Sequence, residues 1–322
     1  MNKFWIDKPV LVTGATGFVG SYLVERLLDA GANVTCIIRD HRPDSMLING
    51  DSFDYCNIVK GDLYDRNLIE RVLAEYEIDS VFHLAAQTVV GIANDAPYPT
   101  LSNNILTTLN VLEACRNHKK LRHLALASSD KAYGELFERR MYIEDDPVNG
   151  THPYDCSKST ADLMAQTYLN TYRVPIGITR CGNIYGGGDV NWSRLIPRTI
   201  RKIIRGEIPE ISGNGDETRD YFYVKDTVSA YMLMSQCCAQ GAYNFSTSEE
   251  LTVRDVIDAI CNEMGVKTKY DVLGKVENEI KYQWLDSTKA RTNLNWKPQY
   301  SFARGLKETV VWYKDYLGCK DK

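Results

Sequence analysis

The stretch Pro9-Val10-Leu11-Val12-Thr13-Gly14-Ala15-Thr16-Gly17-Phe18-Val19-Gly20 constrains this chain more than any other. Its first five residues are a short apolar run that reads as a buried strand. Three glycines at i, i+3 and i+6 follow at once. From Ser21 to Ala30 the apolar residues Leu23, Val24, Leu27 and Leu28 fall at helical spacing, and Gly31 is placed to end that helix. Glycines between a strand and a helix permit a tight turn and close backbone approach. They also leave the helix N-terminal amides facing outward, where a pyrophosphate can be stabilised. A glycine triplet alone is a weak signal; the strand before it and the helix after it give it weight. Gly14, Thr16, Gly17, Phe18, Val19 and Gly20 are therefore candidate contacts for a dinucleotide cofactor.

The strand–helix rhythm continues. Strand-like runs at 34–38, 80–84, 124–127 and 176–179 alternate with helical patterns at about 103–117 and 154–172. Apolar strands spaced by helices imply a parallel sheet covered on both faces. The expected fold class is α/β: a doubly wound parallel sheet over residues 1–180, with a late strand near 242–246 rejoining it. A smaller substrate-binding α/β lobe is expected over 181–322, where loops lengthen around Gly186-Gly187-Gly188 and Gly213-Asn214-Gly215. A length of 322 residues suits two such lobes.

Composition removes other classes. The chain has 38 Lys and Arg against 42 Asp and Glu, so no excess of basic charge favours nucleic acid or an anionic membrane. No stretch approaches the roughly 18 uninterrupted apolar residues of a membrane span, and the start resembles no signal peptide. Nine scattered cysteines without a CxxC pair read as free thiols of a cytoplasmic protein. The five histidines supply no clustered metal ligands, so no metal site is expected.

Tyr154 and Lys158 lie four residues apart on one face of the helix that opens at Pro153. A phenol is a poor base near neutral pH. A neighbouring ammonium and a cationic nicotinamide would both favour its phenolate, which could then take a proton from a substrate hydroxyl. At the end of the second strand, Asp40 could accept hydrogen bonds from ribose hydroxyls, as NAD requires, whereas the adjacent Arg39 could pair with the 2′-phosphate of NADP. The reading favours NAD and keeps NADP open.

The GxxGxxG spacing, combined with Tyr154-Asp155-Cys156-Ser157-Lys158, resembles the extended short-chain dehydrogenase/reductase superfamily, the NAD-dependent epimerase/dehydratase family that acts on nucleotide sugars. That resemblance implies a Rossmann domain with a tightly bound cofactor regenerated at each turnover. It places Asp62 and Leu63 at the adenine, and Ala85, Ala86 and Gln87 along the cofactor, with Gln87 also near the substrate. Tyr154 and Lys158 would touch the cofactor as well as act in catalysis, and Ser129 would hydrogen-bond the sugar hydroxyl being oxidised. Within the family, Ser129-Asp130-Lys131 is similar to CDP-glucose 4,6-dehydratases; dTDP-glucose enzymes carry glutamate where Lys131 stands. Asp130 would be the general acid for loss of the C6 hydroxyl and Lys131 the base at C5. Cys181-Gly182-Asn183-Ile184-Tyr185-Gly186, with Trp192 and Arg194, resembles the substrate loop of the same enzymes. Asn183, Arg194 and Arg219 are thereby implied in holding the substrate, Arg219 at its diphosphate.

The implied reaction is a 4,6-dehydration: C4 is oxidised, water leaves across C5 and C6, and hydride returns to C6. A 4-epimerase would share only the first step. A dinucleotide-binding protein without turnover would have no need of Ser129, Tyr154 and Lys158. The family resemblance further implies a homodimer whose helices 103–117 and 154–172 form a four-helix bundle, although Leu109, Val111 and Leu112 could equally pack on the sheet.

Overall fold

The computed structural model describes residues 3–274 and 280–320. Seven strands form its central sheet: β1 Pro9–Thr13, β2 Asn33–Ile38, β3 Asn57–Lys60, β4 Ser80–His83, β5 His123–Ala127, β6 Ile176–Cys181 and β7 Gly241–Phe245. All pair in parallel, in the order β7-β6-β5-β4-β1-β2-β3. The eight principal helices are α1 Phe18–Asp29, α2 Arg66–Glu75, α3 Pro97–Asn117, α4 Pro153–Tyr172, α5 Leu195–Ile204, α6 Val224–Gln236, α7 Val253–Met264 and α8 Phe302–Lys320.

The period-two alternation of a strand explains both layers. Leu11, Val81, Leu124, Leu126 and Ile178 face one side and pack with Val72 of α2, Val111 and Leu112 of α3 and Ala165 of α4. Val10, Val12, Cys36, Phe82 and Ala125 face the other side and pack with Leu23, Val24 and Leu27 of α1 and Val228 and Tyr231 of α6. Because both faces are covered, the strands read as unbroken apolar runs. The expected late strand is β7, which takes the sheet edge beside β6.

A third core builds the smaller lobe. Ile196 and Ile200 of α5, Val256 and Ile260 of α7, and Leu306, Val310 and Tyr313 of α8 gather around Tyr185, Tyr221 and Tyr223. Phe18, Val19 and Tyr22 of α1 pack against this cluster, so the glycine-loop helix is shared by both lobes. The short strands of this lobe pair over long chain separations: Asn183–Tyr185 with Tyr221–Tyr223, and Thr218–Arg219 between Leu251–Thr252 and Tyr282–Gln283.

Some expectations shift. Helix α3 starts at Pro97 rather than near residue 103, since prolines fit the first turn, where amide groups have no intrahelical partner. Val111 and Leu112 are wholly buried against the sheet, while Leu109 is 36% exposed, which separates packing positions from surface ones on that helix. The eight described cysteines are free thiols; the side chain of Cys319 lies outside the described residues. Among the described residues no group of His, Cys, Asp or Glu is arranged to hold a metal ion, and no helix is long and apolar enough to cross a membrane.

Candidate active site

Strand order reverses between β1 and β4, so the loops leaving these two strands diverge and open a crevice at their C-terminal ends. Gly14 sits in that crevice with φ +72°. A Cβ there would lie 2.7 Å from the amide nitrogen of Ala85 and 2.8 Å from the carbonyl carbon of Leu84. Only glycine permits both the left-handed backbone and the contact with the β4 exit. Gly17 is the N-cap of α1 and supplies no capping side chain, which leaves the first amides of the helix pointing into the crevice. A cradle lined by backbone, where a Cβ would intrude, fits the pyrophosphate of a dinucleotide. Thr16, Phe18, Val19 and Gly20 complete this turn, with Gly20 tucked onto Gly14.

At the end of β2, Arg39 and Asp40 engage each other. Arg39 Nε donates to Asp40 Oδ2 at 2.6 Å, and its Nη1 donates to Asn103 Oδ1 at 3.2 Å and lies 3.8 Å from Asp62 Oδ2. The guanidinium thus stands between two carboxylates. Leu63 is buried beside Asp62, and its carbonyl accepts from Asn110.

The β4 exit, Ala85-Ala86-Gln87, is pinned by Asn104 of α3. Asn104 Oδ1 accepts from the Gln87 amide at 2.7 Å, while its Nδ2 donates to the Gln87 carbonyl at 3.0 Å and to Ser157 Oγ at 2.9 Å. Ser157 lies between Tyr154 and Lys158, so one buried amide couples the cofactor loop to the helix carrying the phenol and the ammonium. Beneath, Thr13, His83 and Thr108 form a buried hydrogen-bonded row. Burial, followed by the charge of Lys158, pushes His83 down to about 3, so this imidazole is neutral.

Beyond β5 the chain turns through a short 3₁₀ segment, Asp130–Tyr133, capped by Ser129, whose Oγ accepts from the Lys131 amide at 3.2 Å. The same hydroxyl donates to Asp130 Oδ1 at 2.9 Å and is hydrogen-bonded to the Tyr154 phenol. Asp130 is not part of a solvated turn. It is 2% exposed, its Oδ2 has no hydrogen-bond partner, and its backbone carbonyl accepts from Gln283. Burial raises its pKa; the charge of Lys131, the Ser129 hydroxyl and then the charge of Arg219 pull the other way. Lys131 also acts on the carboxyl of Asp155, itself pushed up by burial.

Tyr154 departs from the expected easy phenolate. Burial pushes it up to about 12, opposed first by the Ser129 hydrogen bond and then by the charge of Arg194. Lys158 is buried, with Nζ donating to the Ala127 carbonyl at 2.8 Å; burial brings its pKa down to about 8 despite the charge of Asp162. Arg194, the N-cap of α5, pairs with Asp189 at 3.0 Å. Arg219 is buried, and its Nη1 donates to the Thr218 carbonyl at 2.8 Å. The amide of Asn183 donates to the Asp220 carbonyl at 2.7 Å.

Ser129, Asp130, Lys131, Tyr154, Arg194 and Arg219 are thus in one electrostatic neighbourhood, and Arg39, Asp40 and Asp62 form a second at the end of β2. Sequence reasoning missed Asn104 and His83. It also missed the support behind Ser129, where Asp162 accepts from Ser128 at 2.7 Å and from both Nε and Nη2 of Arg180 at 2.9 Å. The i,i+4 spacing of Lys158 and Asp162 was the one local signal for that support.

The chain matches the family described as GDP-mannose 4,6 dehydratase over residues 11–309. It belongs to that family. Two relatives frame its length. It is 30% identical over 330 residues to a trifunctional UDP-glucose 4,6-dehydratase/3,5-epimerase/reductase of Arabidopsis thaliana, with 96% of this chain covered but only 47% of the relative. The chain therefore spans about half of that larger protein. It is also 30% identical to the dTDP-glucose 4,6-dehydratase of Neisseria meningitidis, with 96% and 94% covered. Among solved structures, the dTDP-glucose 4,6-dehydratase of Streptomyces venezuelae with NAD bound superposes with TM-score 0.87 at 26% identity, covering 96% of this chain and 98% of that one. The UDP-glucose 4-epimerase of Thermotoga maritima with UDP-glucose superposes with TM-score 0.88 at 26% identity, covering 96% and 99%. The Rossmann-like sheet with a smaller α/β lobe is the shared architecture.

Proposed function

We propose that this chain is a sugar-nucleotide 4,6-dehydratase that converts an NDP-hexose to its 4-keto-6-deoxy form. The observation that carries the reading is Asp130: a buried carboxyl with one unpartnered oxygen, held toward its protonated form beside the hydroxyls of Ser129 and Tyr154. A 4-epimerase shares the oxidation at C4 but has no use for a protonated acid there.

Tyr154 removes the proton of the C4 hydroxyl, which Ser129 helps to orient. Lys158, anchored on the Ala127 carbonyl, supplies positive charge from the same helix. NAD held in the Gly14–Gly20 cradle would supply the reversible hydride acceptor for the sugar, and its positive charge would favour the Tyr154 phenolate. Once C4 is a ketone the C5 proton is acidic; Lys131 takes it as the neutral amine, having first released its own proton, and Asp130 in its acid form protonates the departing C6 hydroxyl. Gln87, Asn183, Arg194 and Arg219 hold the substrate, with the planar donors of Arg219 suited to its diphosphate.

Three finer readings follow. The pairing of Arg39 with Asp40 and Asp62 supports NAD over NADP, because a 2′-phosphate would have to compete with two carboxylates for one guanidinium. The Asp130-Lys131 pair supports a CDP-glucose-like substrate. A homodimer through α3 and α4 is supported by Leu106, Leu109 and Leu163, which stay 44%, 36% and 51% exposed on these adjacent helices.

The test is incubation with CDP-, UDP- and dTDP-glucose and GDP-mannose in deuterated water, followed by mass spectrometry. The expected product has lost one water and gained deuterium at C5. A product of unchanged mass, or no product from any of the four, overturns the assignment.

A further inference from the structure

Helix α5 has two unlike sides. Ile196, Thr199 and Ile200 are buried in the smaller lobe, while Arg198, Arg201, Lys202 and Arg205 share the other side at i, i+3, i+4 and i+7, along about 10 Å of helix axis. With Trp192 and Glu207 they line a cavity of about 170 Å³. In a chain of net charge −4 this is a local concentration of cations with few partners. Lys202 pairs with Glu210 at 2.8 Å. Arg198 reaches Ser212 Oγ and the Glu210 carbonyl only at 3.4 Å. Among the described residues Arg201 and Arg205 have no ion pair. The Arg201 guanidinium lies over the Trp192 ring, 4.6 Å from its centroid.

A merely solvated basic face does not account for two further features. The Nε–H groups of Arg198 and Arg201 are both buried and lack hydrogen-bond partners. Nε and one Nη form the fork with which arginine grips a phosphate oxyanion pair, so these orphans are the donors a phosphate would satisfy. The Arg201–Trp192 stack also covers an aromatic face on which a nucleobase could lie once an anion draws the guanidinium away.

We propose that the outer face of α5, with Trp192, is a binding site for the diphosphate group of a nucleotide, separate from the cleft that holds Ser129 and Tyr154. Arg201 and Arg205 grip the diphosphate, Arg198 completes the fork at one end, and Trp192 takes the base. Glu207, at the rim, sets a limit on the affinity. The ligand chemistry fits two sources: the nucleotide sugar captured on its way to Arg194 at the cleft end of the same helix, or a free nucleoside diphosphate acting as an effector. The first source rests on the dehydratase reading; the site itself does not.

The experiment titrates the full-length protein with inorganic pyrophosphate and with CDP and UDP, read by tryptophan fluorescence and by calorimetry, with no turnover involved. Saturable binding is expected. Arg201→Glu/Arg205→Glu should weaken it about tenfold or more, as loss of charge-assisted bonds implies. Trp192→Phe should abolish the fluorescence change while leaving the calorimetric binding of pyrophosphate. Arg219→Met, which removes the cation assigned to the cleft, should weaken CDP and UDP binding there but leave pyrophosphate binding on α5 intact. If the double charge reversal does not fold, Arg201→Gln/Arg205→Gln gives the same comparison. Pyrophosphate binding unaffected by the α5 substitutions, or lost with Arg219→Met, overturns the proposal. With a substrate identified, a raised KM at constant kcat in the α5 variants marks substrate capture. A kcat that responds to free CDP or UDP in the parent but not in the variants marks an effector.

Discussion

Lys158 should cost the fold stability, and the cost is calculable. Burial lowers its pKa from the ordinary 10.5 to about 8. At about 1.36 kcal/mol per tenfold change in acidity, that lowering is a penalty of roughly 3 kcal/mol for keeping this ammonium charged at pH 7. Lys158→Met keeps most of the stem packing and removes the penalty, but it strips the Ala127 carbonyl of its side-chain donor, a loss of about 1–3 kcal/mol. The variant should therefore be more stable than the parent at pH 7, by up to about 2 kcal/mol, and inactive. The pH dependence has a definite sign. A depressed folded-state pKa means that the unfolded chain binds more protons between pH 8 and 10.5. The parent gains stability as pH rises through that window, and the advantage of the variant should shrink with it. Urea denaturation of both proteins, nucleotide-free, at pH steps from 6.5 to 10.5 measures this difference directly; other groups titrating there cancel in the subtraction. A gap independent of pH, or a methionine variant less stable at pH 7, would refute the reasoning.

Three other outcomes are expected. Asp130→Asn should slow elimination about 10²–10⁴-fold while leaving oxidation at C4, so that reduced nicotinamide accumulates in absorbance measurements; loss of both steps together would contradict its role as acid. Gly14→Ala should cost about 1–3 kcal/mol through its left-handed backbone, and more through the clash with Leu84 and Ala85, so the purified protein should melt earlier and carry less nucleotide. Arg180→Met should destabilise by about 3–5 kcal/mol in chemical denaturation, because Asp162 is left charged and wholly buried, whereas Arg180→Met combined with Asp162→Leu should recover much of that loss.

The parts of the fold legible in the sequence are those where burial on both faces wrote itself as an apolar run. β1, β2, β4, β5 and β6 are of this kind. β3 is not: at the sheet edge only Val59 of Asn57-Ile58-Val59-Lys60 is buried, so a strand that pairs on one side leaves almost no pattern. The smaller lobe was legible only in outline, since its strands of two or three residues are too short for any period. They exist because distant segments meet, as when Gln283 pairs with Arg219.

The site divides along the same line. Tyr154 and Lys158 are one helical turn apart, and Ser129 and Asp130 are adjacent, so local spacing revealed which groups are present. What those groups do depends on protonation, and that is set from far away. Asp130 is held toward its acid form because the chain returns beside it more than 150 residues later, where Gln283 bonds its carbonyl and helps keep water out. The Arg39 and Asp40 pair makes the same point at the other end of the crevice. Side by side in the sequence they argue for opposite cofactors, and it is Asp62, brought alongside by the pairing of β2 with β3, that commits the guanidinium to carboxylates. A second chain with the same short motifs but an apolar residue at 62 would leave Arg39 less engaged, and its preference between NAD and NADP would have to be argued afresh.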